Sequence, residues 1–407
     1  MPAPRAVAIT GLGAVTPLGD AAETWRALLA GESATVAAPE RLRAAGCQVV
    51  AAVDRFDPCR YMERFAAAHM GRFSQFAVAA CRLALEHAAI DDAGDAGLVI
   101  HTGAGGLIEA EAAATAAMSR PTRVNPYFTP MFGPNMAACQ PSIELGIRGP
   151  VLGGVGACAA GIQAVIDGLR LVQHGEADVV VAGGTDAALS PVLLGSLANA
   201  GALARAGDDP AAACRPFDRC RTGMVASEGA AAFVLEPLER AVARGVTPLA
   251  VVAGGGRSAD AHHVTAPHPE GRGTAAALRR ALADAGCPAT DVDAVVAHAT
   301  ATRAGDEAEV RAFAAVFGDH LPSVAVTAPK GALGHGLGAA GAFGVLVAVL
   351  GLRDQALPPT RNLADVDPAC TGPAHVAGES RRAPARTVVV NAAGFGGQNA
   401  AVVLTKV

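Results

Sequence analysis

Apolar runs that break into glycine turns recur along this chain, and they constrain its fold more than any other feature. Residues 7–13 read as a buried strand running into a Gly turn, and residues 98–103 read the same way. Residues 178–184 are apolar on both alternations, as in a strand covered on both faces. After residue 245 the same grammar restarts. Residues 249–256 are strand then Gly turn, 294–300 a strand ending on His298, and 387–391 and 400–405 the last strands. Helical spacing lies between them. It covers 23–31, closed by Gly31, and 72–89, with Phe73, Phe76, Ala80, Leu83 and Ala84 at helical spacing. Further helices follow Cys158, with Ile162, Ile166, Leu169 and Val172 on one face, and cover 274–286 and 338–352. Alternating strands and helices imply an α/β fold with buried sheets. Two runs of one grammar imply two duplicated halves, 1–245 and 246–407, packed as one unit without a low-complexity linker. Residues 120–141 hold five prolines and read as an irregular excursion over an active site or a subunit interface.

Composition narrows the function classes. Hydrophobic residues make up 51% and charged residues 17%, which suits a large interior and excludes disorder. The net charge of -5 gives no reason to expect nucleic acid or an acidic membrane surface. The apolar run at 344–352 reads as too short to span a bilayer, and the N-terminus shows no secretory signal. Nine cysteines without a CxxC pair imply a reduced, cytoplasmic protein with no disulfide framework and no metal site. Only two of the 32 basic residues are lysine, Lys330 and Lys406. Where arginine serves as the usual cation, a lysine in a small-residue loop marks a need for a compact ammonium.

Four segments could carry chemistry. Cys158 sits within the small-residue run 154–161, ahead of a helix. A helix N-terminus lowers a thiol pKa, so the position suits a nucleophile. Taken alone, such a thiol is more often a small buried side chain. His298 leaves a buried strand and is followed by Thr300 and Thr302, whose alternation lets both hydroxyls line one wall. Asp306 and Glu309 fall one helical turn apart and could orient neighbouring groups. Lys330 and His335 share a Gly-rich loop that enters the apolar helix. Residues 336–341 match a dinucleotide fingerprint only poorly, because they do not end a strand and lack the distal acid. Finally, a strand breaks at 394–397 into a Gly-Phe-Gly-Gly turn around Phe395, whose free N–H groups could complete an oxyanion hole.

These segments, in this order, resemble the β-ketoacyl-ACP synthases, the condensing enzymes of fatty-acid and polyketide synthesis. The likeness also runs through 10–19, 146–150, 176–184 and 215–230, and so spans almost the whole chain. It implies the thiolase fold, two βαβαβ-type halves in a five-layer α-β-α-β-α arrangement. It implies Cys158 as the acylated nucleophile, His298 and His335 as a histidine pair, and Lys330 as their electrostatic support. Cys158 and Phe395 would supply the oxyanion-hole N–H groups, with Phe395 as a gate. Thr300 and Thr302 would bind phosphopantetheine, and Thr265, in the segment 260–270, would line the malonyl site. The resemblance implies no metal or organic cofactor beyond the carrier's phosphopantetheine. The implied partners are an acyl carrier protein and a second subunit, either identical or of the chain-length-factor kind.

Several positions depart from the family pattern. Ala299 stands where Gly is usual, Phe343 and Gly344 where an acid often follows, and Ala393 where Phe often precedes the gate. Cys220 and Met224 are also unusual in their motif. The lost acid leaves open how Lys330 is held, and Ala393 implies a wider pocket. Together these departures point to a specialised secondary-metabolic synthase. A non-catalytic chain-length-factor-like scaffold is the competing reading, but such subunits lack the cysteine and parts of the histidine pair. A thiolase acting on acyl-CoA fits the two-histidine pattern less well.

Overall fold

The computed structural model describes residues 5–382 and 384–407. Eleven of its strands join in one sheet with two halves of equal plan, and the others form a two-stranded and a three-stranded sheet. In the first half the order runs Val7–Val15, Gly229–Pro237, Val180–Asp186, Gly97–Thr102 and Val151–Leu152. In the second it runs Ala250–Ala259, Gln398–Thr405, Thr387–Gly394, Ala294–Val296 and Ala325–Thr327, with Ala374–His375 at the outer edge. In each half the first two pairings are antiparallel and the next two parallel. The halves meet where Val7, Ala8 and Ile9 pair antiparallel with Val252, Val251 and Ala250.

Strand alternation sorts the core into layers. Val180 and Ala182 face a central cluster, while Val179 and Val181 face an outer one. In the second half Val388, Val390, Val402 and Leu404 point to the centre, and Val389, Ala401 and Val403 point outwards. A residue on either side of a strand therefore meets apolar packing, which accounts for the unbroken Val and Ala runs. The centre is filled by two helices, Ala160–Gln173 and Ala340–Asp354, which touch each other and strands of both halves. Outer helices Arg72–His87 and Arg272–Asp284 cover the two far faces. This is the five-layer α-β-α-β-α arrangement.

The central helices approach closely. A Cβ on Gly161 would lie 2.4 Å from Ala342 N, and one on Gly341 would lie 2.9 Å from Ile162 N. The helix Ala340–Asp354 is buried from Ala340 to Leu352. With its leading turn, Leu337–Asp354 is 18 residues long at mean hydropathy 1.6, which corrects the sequence reading of this stretch as too short to cross a bilayer. Of these residues 83% are buried inside the protein, so it serves as a core helix.

The excursion at 120–141 is also more regular than its prolines suggest. It holds the turn Pro121–Arg123, the helix Phe128–Phe132 and most of the helix Met136–Leu145. Pro121 and Pro130 occupy first-turn positions, where a missing N–H costs no intrahelical bond, and Pro134 precedes its helix. Pro141 lies beyond the first turn of its helix. The preceding helix Leu107–Ser119 has no buried residue and presents Met118 almost fully to the outside.

Candidate active site

Cys158 sits in a single 3-10 turn, Ala157–Ala159, that leads into the central helix Ala160–Gln173. Ala157 is left-handed at φ 46°, a strained conformation for a residue with a Cβ, and such outliers cluster at active sites. The turn is held at the end of strand Gly97–Thr102. Thr102 N–H donates to Gly154 O at 3.0 Å, and Gly156 N–H donates to Thr102 O at 3.1 Å. The hairpin that carries Phe395 comes against it. A Cβ on Gly394 would lie 3.1 Å from Cys158 N and from Ala157 Cβ, so a side chain there would have to push the Cys158 turn back by a few tenths of an ångström. Gly396 at φ 81° and Gly397 at φ 76° turn the chain back, and Phe395 stays 44% exposed.

His335 Nε2 lies 3.1 Å from Cys158 Sγ. The rings of His298 and His335 stand 5.4 Å apart, centroid to centroid, with planes at 88°. Both imidazoles are buried, and their Nδ1 atoms have no partner within the protein. Burial, and then the nearby Lys330 ammonium, holds both well below the ordinary imidazole range, so both are neutral at pH 7. Lys330 opens the short helix Lys330–Leu333 and is itself buried. Desolvation lowers its pKa, and the Glu309 carboxylate is the first charge to oppose that.

The thiol behaves differently from its sequence setting. A helix N-terminus argues for a lowered pKa, but burial dominates and pushes Cys158 up to about 11. The Lys330 charge and the backbone N–H groups of Phe395 and Cys158 pull the other way without overcoming it. Those two N–H groups converge on the position of the sulfur, the arrangement an oxyanion hole requires. At rest Cys158 is therefore a thiol with a neutral imidazole at hydrogen-bond distance.

The acids identified from spacing hold the loop that carries His298. Both lie buried on the helix Arg303–Phe317. Glu309 Oε1 accepts the His298 N–H at 2.7 Å and Oε2 accepts the Ala299 N–H at 2.8 Å. Asp306 Oδ1 accepts the Ala301 N–H at 3.1 Å, and its Oδ2 accepts the Phe217 N–H at 2.8 Å. Burial pushes Asp306 up to about 7, against the pull of those donors and of the buried Arg221 guanidinium. Thr300 and Thr302 place their hydroxyl oxygens 2.9 Å apart, as their alternation implies.

Two expectations need adjustment. The Thr265 side chain is exposed and lies 3.4 Å from His263 Nδ1, so it is not among the groups gathered at the sulfur. Its segment still abuts the gate, because Gly396 N–H donates to Val264 O at 2.8 Å. The absent acid at Gly344 has a steric basis: a Cβ there would lie 2.7 Å from Val390 Cγ1. The neighbouring Phe343 ring fills space under the His335 loop, against Gly336 and Gly229. Glu309 is braced from elsewhere, by the Asn391 side-chain amide at 2.7 Å. Asn391 escaped the sequence reading, although a polar residue ending the run Val388–Val390 is a signal in itself. Asp186, which ends the buried strand Val180–Asp186, escaped for the same reason.

Comparison with known proteins agrees with this geometry. Residues 4–241 match the model for the N-terminal domain of β-ketoacyl synthases, and residues 249–364 match that for the C-terminal domain. The chain is 39% identical over 411 residues to a 3-oxoacyl-[acyl-carrier-protein] synthase 2 of Coxiella burnetii, covering 99% of each. Among solved structures it is similar to the ishigamide ketosynthase/chain length factor, with a TM-score of 0.92 and 32% identity over the whole of both chains. It is also similar to a type II PKS ketosynthase solved with its acyl-carrier protein, with a TM-score of 0.92 and 27% identity over 99% of this chain and 100% of that one. The chain belongs to the β-ketoacyl synthase family of condensing acyltransferases.

Proposed function

We propose that this condensing enzyme holds an acyl chain on Cys158 and extends it with a malonyl unit delivered by an acyl carrier protein. The observation that carries the reading is the 3.1 Å contact of His335 Nε2 with Cys158 Sγ, beneath the N–H groups of Cys158 and Phe395. In the first half-reaction Sγ attacks the thioester carbonyl of the acyl carrier. The thiol proton moves to the neutral imidazole, and the two N–H groups stabilise the tetrahedral oxyanion. The tetrahedral intermediate expels the pantetheine thiolate, which takes the proton back from the His335 imidazolium and departs as a thiol, leaving acyl-Cys158.

In the second half-reaction malonyl carrier protein enters. His298 and His335 then donate through Nε2 to its thioester carbonyl, His335 having exchanged its proton from Nδ1 to Nε2 once Sγ is acylated, as CO2 leaves and an enolate forms. The enolate carbon attacks the acyl-Cys carbonyl, and collapse releases the thiol and a 3-oxoacyl carrier two carbons longer. Lys330 keeps both imidazoles neutral and favours the developing negative charge. Fixed donors do this work, and the reading calls on no resident metal or organic cofactor. Thr300 and Thr302 line the wall for the phosphopantetheine arm, Thr265 lies on the malonyl approach beside the gate, and Phe395 swings on its flanking glycines.

A second subunit belongs to this reading. Val151–Leu152 is the edge strand of its half-sheet, directly before the Cys158 turn. Leu152 is 41% exposed, Val155 57% and Ile143 70%, an apolar edge that a partner would cover. An identical chain or a chain-length-factor-like chain both fit it, in a reducing cytoplasmic setting. The solved relatives include a ketosynthase/chain length factor and a ketosynthase with its carrier protein, which supports a chain-length-factor-like subunit and a carrier protein as partners. A purely scaffolding role is disfavoured because Cys158, His298, Lys330 and His335 are all present and converge. The test is mass spectrometry of the intact chain after incubation with acyl carrier thioesters. An acyl adduct on Cys158 that malonyl carrier discharges as a 3-oxoacyl product supports the reading; no adduct on Cys158 contradicts it.

A further inference from the structure

The turn that carries Cys158 has a copy. Residues 154–161 and 334–341 share glycine at the first, third and last positions, and two alanines before the last. Each forms a 3-10 turn, Ala157–Ala159 or Leu337–Ala339, and then enters one of the two central helices. The fourth residue is left-handed in both, Ala157 at φ 46° and Leu337 at φ 49°. Cys158 and Gly338 therefore occupy equivalent positions. In the first turn the Cys158 N–H faces the reacting sulfur. In the second the Gly338 N–H donates to Asp186 Oδ2 at 2.8 Å.

Asp186 is fully buried and accepts three more hydrogen bonds, all from its own half of the molecule, whereas Gly338 belongs to the second half. They come from Gly103 N–H at 3.0 Å, Ala104 N–H at 3.2 Å and the Thr102 hydroxyl at 3.1 Å. Thr102 is also the backbone anchor of the Cys158 turn, through Gly154 O and Gly156 N–H. His335 lies three residues before Gly338 on the same turn. There is little slack: a Cβ on Gly338 would lie 2.3 Å from Gly103 N, and one on Gly103 would lie 2.6 Å from Asp186 Oδ2.

We propose that Asp186 is a positioning residue for the condensation: through Gly338 and Thr102 it sets the turn bearing His335 against the turn bearing Cys158, and so holds Nε2 within reach of Sγ. The proposal rests on Cys158 and His335 being the reacting pair. It implies two effects of opposite sign in one variant. The Asp186 charge raises the Cys158 pKa, so Asp186→Asn eases ionisation of the thiol. The same change weakens the clamp, and a misplacement near ~1 Å costs up to about 100-fold in rate.

The experiment compares the parent chain with Asp186→Asn and Thr102→Val. It measures iodoacetamide alkylation of Cys158 against pH, acyl transfer from an acyl carrier thioester, and kcat and KM with malonyl carrier. For Asp186→Asn the alkylation curve moves to lower pH while acyl transfer falls about 10- to 100-fold, with KM within about twofold. Thr102→Val keeps the charge and removes one donor, so acyl transfer falls less and the alkylation curve stays in place. Unchanged acyl transfer in folded Asp186→Asn overturns the proposal, and if that variant does not fold, unchanged acyl transfer in Thr102→Val overturns it. A parent chain that never acylates Cys158 removes the functional reading instead. The alkylation curve then still decides the contact, a shift supporting it and no shift overturning it.

Discussion

Asn391 donates its side-chain amide to Glu309 Oε1 at 2.7 Å, the same oxygen that accepts the His298 N–H. The strand Thr387–Gly394 thus braces the loop at the end of its parallel neighbour, and the acid missing at Gly344 is not needed for that contact. Replacing Asn391 by Ala leaves a buried carboxylate short of a donor, at a cost of about 1–3 kcal/mol. Thermal unfolding of Asn391→Ala is expected to shift down accordingly, with slower malonyl decarboxylation as His298 loosens. An unchanged midpoint and unchanged CO2 release contradict the bracing role.

The protonation state of the nucleophile is testable without substrate. Burial holds Cys158 near a pKa of about 11, above an ordinary thiol. The thiolate fraction at neutral pH is therefore small, and it grows as pH rises toward that value. Iodoacetamide alkylation of the free enzyme is expected to keep accelerating from pH 7 through pH 10. A plateau already reached near pH 7 indicates a resting thiolate–imidazolium pair instead.

His298 and His335 share one task and differ in another. In the proposed reaction both donate to the malonyl thioester carbonyl, so each Ala variant is expected to lose decarboxylation by about 100-fold or more. Only His335 reaches Cys158 Sγ, so only His335→Ala slows acyl transfer strongly. Unchanged CO2 release in either variant removes that residue from the enolate site.

The central helix pair depends on its glycines. A Cβ on Gly161 meets Ala342 backbone at 2.4 Å, so Gly161→Val forces the helices apart at a cost of roughly 1–3 kcal/mol or more. Because these helices carry the Cys158 and His335 turns at their N-termini, activity is expected to fall further than stability alone explains. Circular dichroism melting beside condensation rates measures both.

Much of this was legible in the chain because it is local. The Val and Ala runs of Val180–Asp186 and Thr387–Gly394 announce strands buried on both faces, and the glycines at 154, 156, 334 and 336 announce tight turns. The ordered series of Cys158, His298, Lys330, His335 and Phe395 pointed to a single site, and the structure brings Cys158, His298, His335 and the Phe395 N–H together. What stayed hidden depends on tertiary packing. Local dipole reasoning lowered the Cys158 pKa, but desolvation by surrounding chain, invisible in sequence, raises it. Asp186 and Asn391 looked like strand ends until the folded chain supplied their partners. Five prolines imply irregularity, and that Pro121 and Pro130 fall in first turns depends on where each helix begins.

The role of Cys158 itself is tested most directly by Cys158→Ala, assayed with acyl carrier and malonyl carrier thioesters. Acyl transfer and condensation are expected to vanish while malonyl decarboxylation continues, because His298 and His335 remain in place. Condensation retained in Cys158→Ala contradicts the account.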